Sequence, residues 1–249
     1  MSRLLAFALS LTVAAIAGSQ AAARADTLVA DLSSHLISIT SGFAGTDLLL
    51  FGAAAEGGDI VVVVRGPAED VVVRRKSRVG GIWVNSRTVP FEGVPGYFAV
   101  NTSRPIEDIA PESLRIELGL GSAYLILTPA GPVAAATLDD FRRALIRNKA
   151  DQDLFREAGE PVAFVGDTLF RTRIAFPANA PAGTYSVDVF LFRDRALIHS
   201  QSTPLFITKA GFGRAVFELA HDQPAVYGLI AIVIAIAGGW LAAAAFRRI

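Results

Sequence analysis

The run from Ala225 to Phe246 carries no charged side chain. Its length of about 20 apolar residues is what an α-helix needs to cross a hydrocarbon core of roughly 30 Å. Arg247 and Arg248 follow at once, and basic residues stay on the cytoplasmic side of a membrane, so the run reads as a single spanning helix with its C-terminus inside. A second apolar stretch, Leu4 to Ala17, follows Arg3 and leads into Ala23-Arg24-Ala25. A charged start, an apolar middle and a small-x-small end are the pattern of a secretory signal peptide over residues 1–25. The expectation is a type I protein of a bacterial inner membrane. Its body lies in the periplasm, residues 224–246 cross the membrane, and residues 247–249 form the cytoplasmic tail.

Lys plus Arg and Asp plus Glu number 23 each, a balance that argues against nucleic acid as a partner. Cysteine is absent, which excludes a disulfide framework, a thiolate nucleophile and a cysteine-based metal site. The single methionine is Met1, so a chain cleaved after the signal contains no sulfur. Two readings of that absence stand side by side: drift in a compartment where methionine and exposed cysteine are prone to oxidation, and economy in a protein made when sulfur is scarce.

Residues 26–136 read as β-rich. Ile60 to Val64 ends at Gly66-Pro67, and Val71 to Val73 begins shortly after, which predicts a hairpin between the two runs. Gly80-Gly81 permits a tight reversal between Arg78 and Trp83. The pattern changes over residues 137–158, where Leu138, Phe141 and Leu145 share a helical face and Thr137 with Asp140 suggests a capping box. Arg142, Arg143, Arg147 and Lys149 fall on the other faces and are expected in solvent. Strands return over residues 159–209, with Arg193-Asp194-Arg195 as a turn between two of them. Residues 210–223 place Phe212, Val216 and Leu219 at helical spacing ahead of the spanning helix, the pattern of a segment lying at the membrane boundary. The succession of short strands and turn signals predicts a mainly β body, an immunoglobulin- or fibronectin-like sandwich with helical insertions, plus one C-terminal spanning helix. One compact unit and two subdomains both satisfy the pattern.

Chemistry is sparse. His35, His199 and His221 are isolated in the sequence, and no H-E-x-x-H, G-x-S-x-G or P-loop is present. A fold could still gather His199, Asp188 and a serine. Gly119-Leu120-Gly121 lacks the third glycine of a dinucleotide fingerprint and reads as a turn between strands. No catalytic residue, metal ligand or cofactor is therefore assigned. The densest charge is Arg74-Arg75-Lys76-Ser77-Arg78, with Trp83 and Asn85 close behind. In a strand Arg74, Lys76 and Arg78 share one face, which suits an anion or an acidic partner. The same cations would also serve as a charged edge that blocks aggregation.

Arg74-Arg75-Lys76, Gly81 to Asn85, Phe91, Val94-Pro95 and Tyr97 together resemble the central motif of an uncharacterised alphaproteobacterial transmembrane family, Alph_Pro_TM-like. Phe51-Gly52, Gly66-Pro67, Leu169-Phe170-Arg171, Gly183-Thr184-Tyr185, Lys209 to Phe212 and Tyr227-Gly228 extend the likeness over nearly the whole chain. The resemblance implies no activity and no catalytic residues. It does imply a neighbour, a permease of the sulfite-exporter kind. The leading expectation is a membrane-anchored periplasmic accessory protein that binds such a sulfur-oxyanion permease through Arg74, Arg75, Lys76, Arg78, Trp83 and Asn85. A periplasmic sensor or envelope assembly factor, and an enzyme with a polar site of no known motif, are the alternatives.

Overall fold

Leu28, Ala30 and Leu32 are buried while Val29 and Asp31 between them are exposed, the period-2 alternation of a strand with one face on a core. In the computed structural model these residues form β1 (Leu28–Leu32), the edge of a four-stranded sheet. The structure describes residues 28–246, apart from 41, 55–57, 158, 211–215 and 217–218. The signal peptide, the Arg247-Arg248 tail and Phe212 lie outside the described residues.

The first sheet runs β1, β3 (Gly45–Ala54), β11 (Leu169–Pro177), β10 (Ala163–Val165), all antiparallel. The second runs β2 (Leu36–Ile39), β13 (Ala196–Lys209), β12 (Gly183–Arg193), β4 (Asp59–Arg65), β7 (Phe98–Thr102), β9 (Phe155–Arg156). Ile60 to Val64 of β4 are buried at every position, as befits a strand covered on both faces. Both sheets combine strands from either side of the helical region, β3 with β11 and β4 with β12. The body is thus mainly β, its first sheet ordered β1-β3-β11-β10 and its second built around β4, β12 and β13. Tyr185 near the start of β12 donates its hydroxyl to the carbonyl of Pro181, four residues upstream, at 2.6 Å, which closes the turn into that strand. The two sheets also meet through Asn101 Nδ2, which donates to Thr172 Oγ1 at 2.7 Å and to the Arg173 carbonyl at 2.8 Å. Asn101 is 3% exposed, and a buried amide without those partners would be costly.

Between β4 and β7 the chain makes an excursion. Here the predicted hairpin of Ile60–Val64 with Val71–Val73 does not form. Gly66 instead donates its N–H to Tyr97 O at 2.7 Å, and Pro67 O accepts from Gly96 N at 2.8 Å, which carries the chain out of the second sheet. It then builds a separate ribbon from β5 (Ala68–Val79) and β6 (Ile82–Pro95), joined at its base by the short β8 (Thr128–Pro129). The Gly80-Gly81 reversal is present, with φ of 58° and 88° and Val79 paired with Ile82. Two successive positive φ angles match the right-handed twist of a two-residue hairpin.

Residues 106–118, expected as part of a strand-rich region, hold two helices, α1 (Ile106–Ile109) and α2 (Glu112–Leu118). Pro105 and Pro111 precede them, acids fill their first turns, and Gly119 ends α2 at φ 61° and ψ 48°. Gly119 is thus a left-handed helix cap rather than a turn between strands. Arg65 fixes that end by donating to Leu118 O at 2.6 Å and to Asp188 at 2.6 Å, a cation placed where helix carbonyls are unpaired. The predicted amphipathic helix exists as α3 (Ala135–Ala150) and buries Phe141 and Leu145 as expected. Its N-cap is Ala134, without a side-chain cap. Thr137 lies inside the helix and accepts from Arg87 at 2.9 Å, so the capping box is not formed. The last helix, α4 (Pro224–Phe246), has 20 residues of mean hydropathy 2.2, none buried, and is long and apolar enough to cross a membrane.

Burial raises the Tyr97 phenol well above its ordinary value of 10.0, against a smaller opposing effect of Arg156. Burial also raises Tyr185, aided by Tyr97 and Glu69. Unfolded tyrosine ionises near 10 while the folded phenols stay neutral, so their stabilisation is complete below that value and is lost as the pH climbs from there toward the folded values. We expect the urea midpoint to fall at alkaline pH by an amount equivalent to about 1.4 kcal/mol per pH unit for each tyrosine. Tyr97→Phe should remove about half of this dependence.

Candidate functional site

β5 is an edge strand whose cations have no partners in sequence, and the ladder decides where they point. Arg74 pairs with Thr88, Lys76 with Asn85 and Arg78 with Trp83. Directly paired residues share a face, as do residues two apart on one strand. Five of the six candidate residues, Arg74, Lys76, Arg78, Trp83 and Asn85, therefore stand on one face of the ribbon. Arg75 stands on the other. It pairs with Arg87 in the ladder, donates to Asp140 at 2.8 Å and lies over the Phe141 ring with its guanidinium carbon 5.2 Å from the centroid. That arginine fastens the ribbon to α3, and the ladder shifts register between Arg75 and Lys76, where the ribbon clears the helix contacts.

No local pattern in the chain points to α3 bringing its own cations to β5. A groove of about 540 Å³ between them is lined by Arg74, Arg75, Lys76, Arg143 and Arg147, with Asp140 as the single acid in its wall. Arg75 first and Arg143 second, by hydrogen bonds, hold the Asp140 carboxyl below its usual value. Asp140 thus stays ionised and remains bound to those two arginines. Arg147 is left unpaired by any acid in the groove, and Arg74 and Lys76 border it from the ribbon's opposite face, so this edge of the molecule is positive, the arrangement that receives an anionic group or an acidic segment.

The four cations of α3 do not form the uniform solvated face expected of them. Lys149 is 7% exposed and pairs with Glu69 at the root of β5, and Arg142 donates to Leu127 O at 3.0 Å. Buried charge of this kind is tolerated only when paired.

A second cavity of about 600 Å³ lies by α1 and α2. Arg104 binds Asp59 there, Arg115 meets Glu107 at 3.5 Å through one terminal nitrogen while its buried Nε has no hydrogen-bond partner among the described residues, and Glu157 accepts from the N–H and hydroxyl of Ser122. Nor are His199 and Asp188 brought together. The ladder sets His199 opposite Leu191, and the Asp188 carboxylate is held by Arg65, Ser202 and Ser186. Among the described residues no group of three His, Cys, Asp or Glu side chains is placed to hold a metal ion.

The sequence profile of a family described as "Putative transmembrane protein (Alph_Pro_TM)" matches residues 27–248. The chain belongs to that family. No curated protein and no solved structure matches it. As an Alph_Pro_TM protein the chain is membrane-associated, and α4 is the helix fitted to span.

The Lys149–Glu69 pair is asymmetric, because Glu69 is 40% exposed and Lys149 is not. Removing the acid strands a buried cation, whereas removing the lysine leaves an acid that water can reach. We expect Glu69→Gln to cost about 2–3 kcal/mol and Lys149→Met less than about 1 kcal/mol. Urea unfolding of the two variants measures the difference.

Proposed function

We propose that this Alph_Pro_TM protein is a membrane-tethered accessory protein, not an enzyme, whose body lies in the periplasm and binds a membrane partner through the β5–α3 groove and the cationic face of the ribbon. The single observation that supports this best is the segregation of charge. A chain balanced overall at 23 basic and 23 acidic residues places Arg74, Arg75, Lys76, Arg78 and Arg87 on the ribbon with no Asp or Glu anywhere between Asp70 and Glu92. Surface charge of one sign, held on a fixed element, favours a partner of the other sign and speeds its capture. The partner we favour is a permease for sulfite or a related sulfur oxyanion. Such a permease handles anions that charge-assisted donors recognise, and a sulfur-free accessory chain suits cells short of sulfur.

Two measurements test this reading. With the signal removed and the arginine tail inside, protease added to cells with an opened outer membrane should digest the body and spare a C-terminal tag; a digested tag would reverse the topology. Replacing Arg74, Lys76 and Arg78 with serine should abolish recovery of the permease with the tagged native protein, identified by mass spectrometry. Because exposed cations contribute little to stability, unfolding should shift by less than about 1 kcal/mol. Undiminished recovery would remove these residues from the interface.

A further inference from the structure

The far end of the ribbon carries a second feature that the basic groove does not use. Beyond the α3 contacts, Val79 is 62% exposed, Ile82 70%, Trp83 66% and Val84 41%. They surround the Gly80-Gly81 turn, so the largest exposed apolar side chains of the ribbon gather at its tip. Val79 pairs with Ile82, and Trp83 pairs with Arg78. A tip of this kind needs a surface that deforms around it. A lipid headgroup layer does so, whereas a protein would need a matching socket.

The ribbon departs from the same end of the body as the strand that leads to α4. Pro67, at its root, packs against Gly183, where an added Cβ would lie 2.9 Å from the proline ring. Gly183 in turn pairs with Ile207, two residues before β13 ends at Lys209. The ribbon and the strand that leads to α4 thus leave the sandwich side by side, at one end. Twelve residues of β5 at about 3.3 Å each make an arm of roughly 40 Å, and residues 210–223 join Lys209 to the spanning helix.

The geometry points to a second contact with the membrane: the Val79–Val84 tip docks on the same bilayer that α4 enters, with its apolar residues at the headgroup boundary and the adjacent cations on anionic headgroups. Trp83 is the residue type that favours that depth. Arg74, Lys76 and Arg78 stand on its face, and no carboxylate between Asp70 and Glu92 opposes them. The contact holds the ribbon against the bilayer, where the groove between β5 and α3 meets a partner embedded in the same membrane. It rests on the membrane-anchored reading of the chain, and the test separates the two.

The full chain contains two tryptophans, Trp83 and Trp240, so Trp240→Phe makes the tip the sole reporter and Trp83→Phe makes the anchor the sole reporter. Each is reconstituted into vesicles of phosphatidylcholine with or without phosphatidylglycerol, carrying bromine on the acyl chains. Trp83 emission should shift to the blue and be quenched by the brominated lipid, more strongly with phosphatidylglycerol. Serine at positions 74, 76 and 78 should weaken docking by about fivefold per cation, on the order of 100-fold in the docked-to-free equilibrium, with the circular dichroism spectrum unchanged. Trp83 that escapes brominated lipid and stays as open to acrylamide as free tryptophan, while Trp240 is quenched, overturns the tip contact and assigns the apex to a protein partner. Trp240 that escapes the lipid overturns the membrane reading and the tip contact with it.

Discussion

Everything distinctive about this molecule depends on how tightly the chain packs where it leaves the sandwich. Gly66 and Gly96 bond to Tyr97 O and Pro67 O, and a Cβ on Gly66 would lie 2.8 Å from the Tyr97 nitrogen. A Cβ on Gly96 would meet the Pro181 ring at 2.7 Å, and one on Gly183 would meet Pro67. Tyr97, Phe176 and Tyr185 close the cluster, with ring centroids 5.1 to 5.9 Å apart. Their hydroxyl-bearing members donate to Ala175 O and Pro181 O. Close packing of this density tolerates little change in volume, so the root of the ribbon is held by backbone and ring contacts rather than by a flexible linker.

From that root the ribbon acquires its direction in steps. Glu69 with Lys149, Arg75 with Asp140 and the Phe141 ring, and Arg87 with Thr137 bind it to α3. Past Arg75 these ties stop, and the polar face and apolar apex are left to act on something outside the chain. An isolated two-stranded ribbon is marginal in water. Here the helix supplies the third layer for the inner half, and the outer half is free to be functional.

What the sequence made legible was local. The spanning helix follows from length and lack of charge, the Gly80-Gly81 reversal from residues that accept positive φ, and the Phe141–Leu145 face from helical spacing. The mainly β body followed from the density of short strands. What failed was non-local. Ile60–Val64 and Val71–Val73 look like two arms of a hairpin until β12 claims the first, and Arg65 and Asp188, which meet across that pairing, are 123 residues apart. Lys149 reads as solvent-facing because its partner Glu69 is 80 residues away. The short helices at 106–118 were within reach: Pro105, Pro111, the acids after each and Gly119 form a set of start and stop signals. They were masked by the surrounding strand pattern. For the site, strand alternation correctly placed Arg74, Lys76 and Arg78 together, and only the contact with α3 could separate Arg75 from them.

The ribbon is a fixed arm, held at its base and free at its tip. Amide hydrogen exchange resolved along β5 and β6 addresses it most directly. Slow exchange from Val71 to Arg75 and from Arg87 to Phe91, at rates like those of β4 and β12, with fast exchange around Gly80-Gly81, is the predicted result. Exchange of the whole ribbon at the rate of an unstructured peptide, while β4 and β12 stay protected, would contradict it.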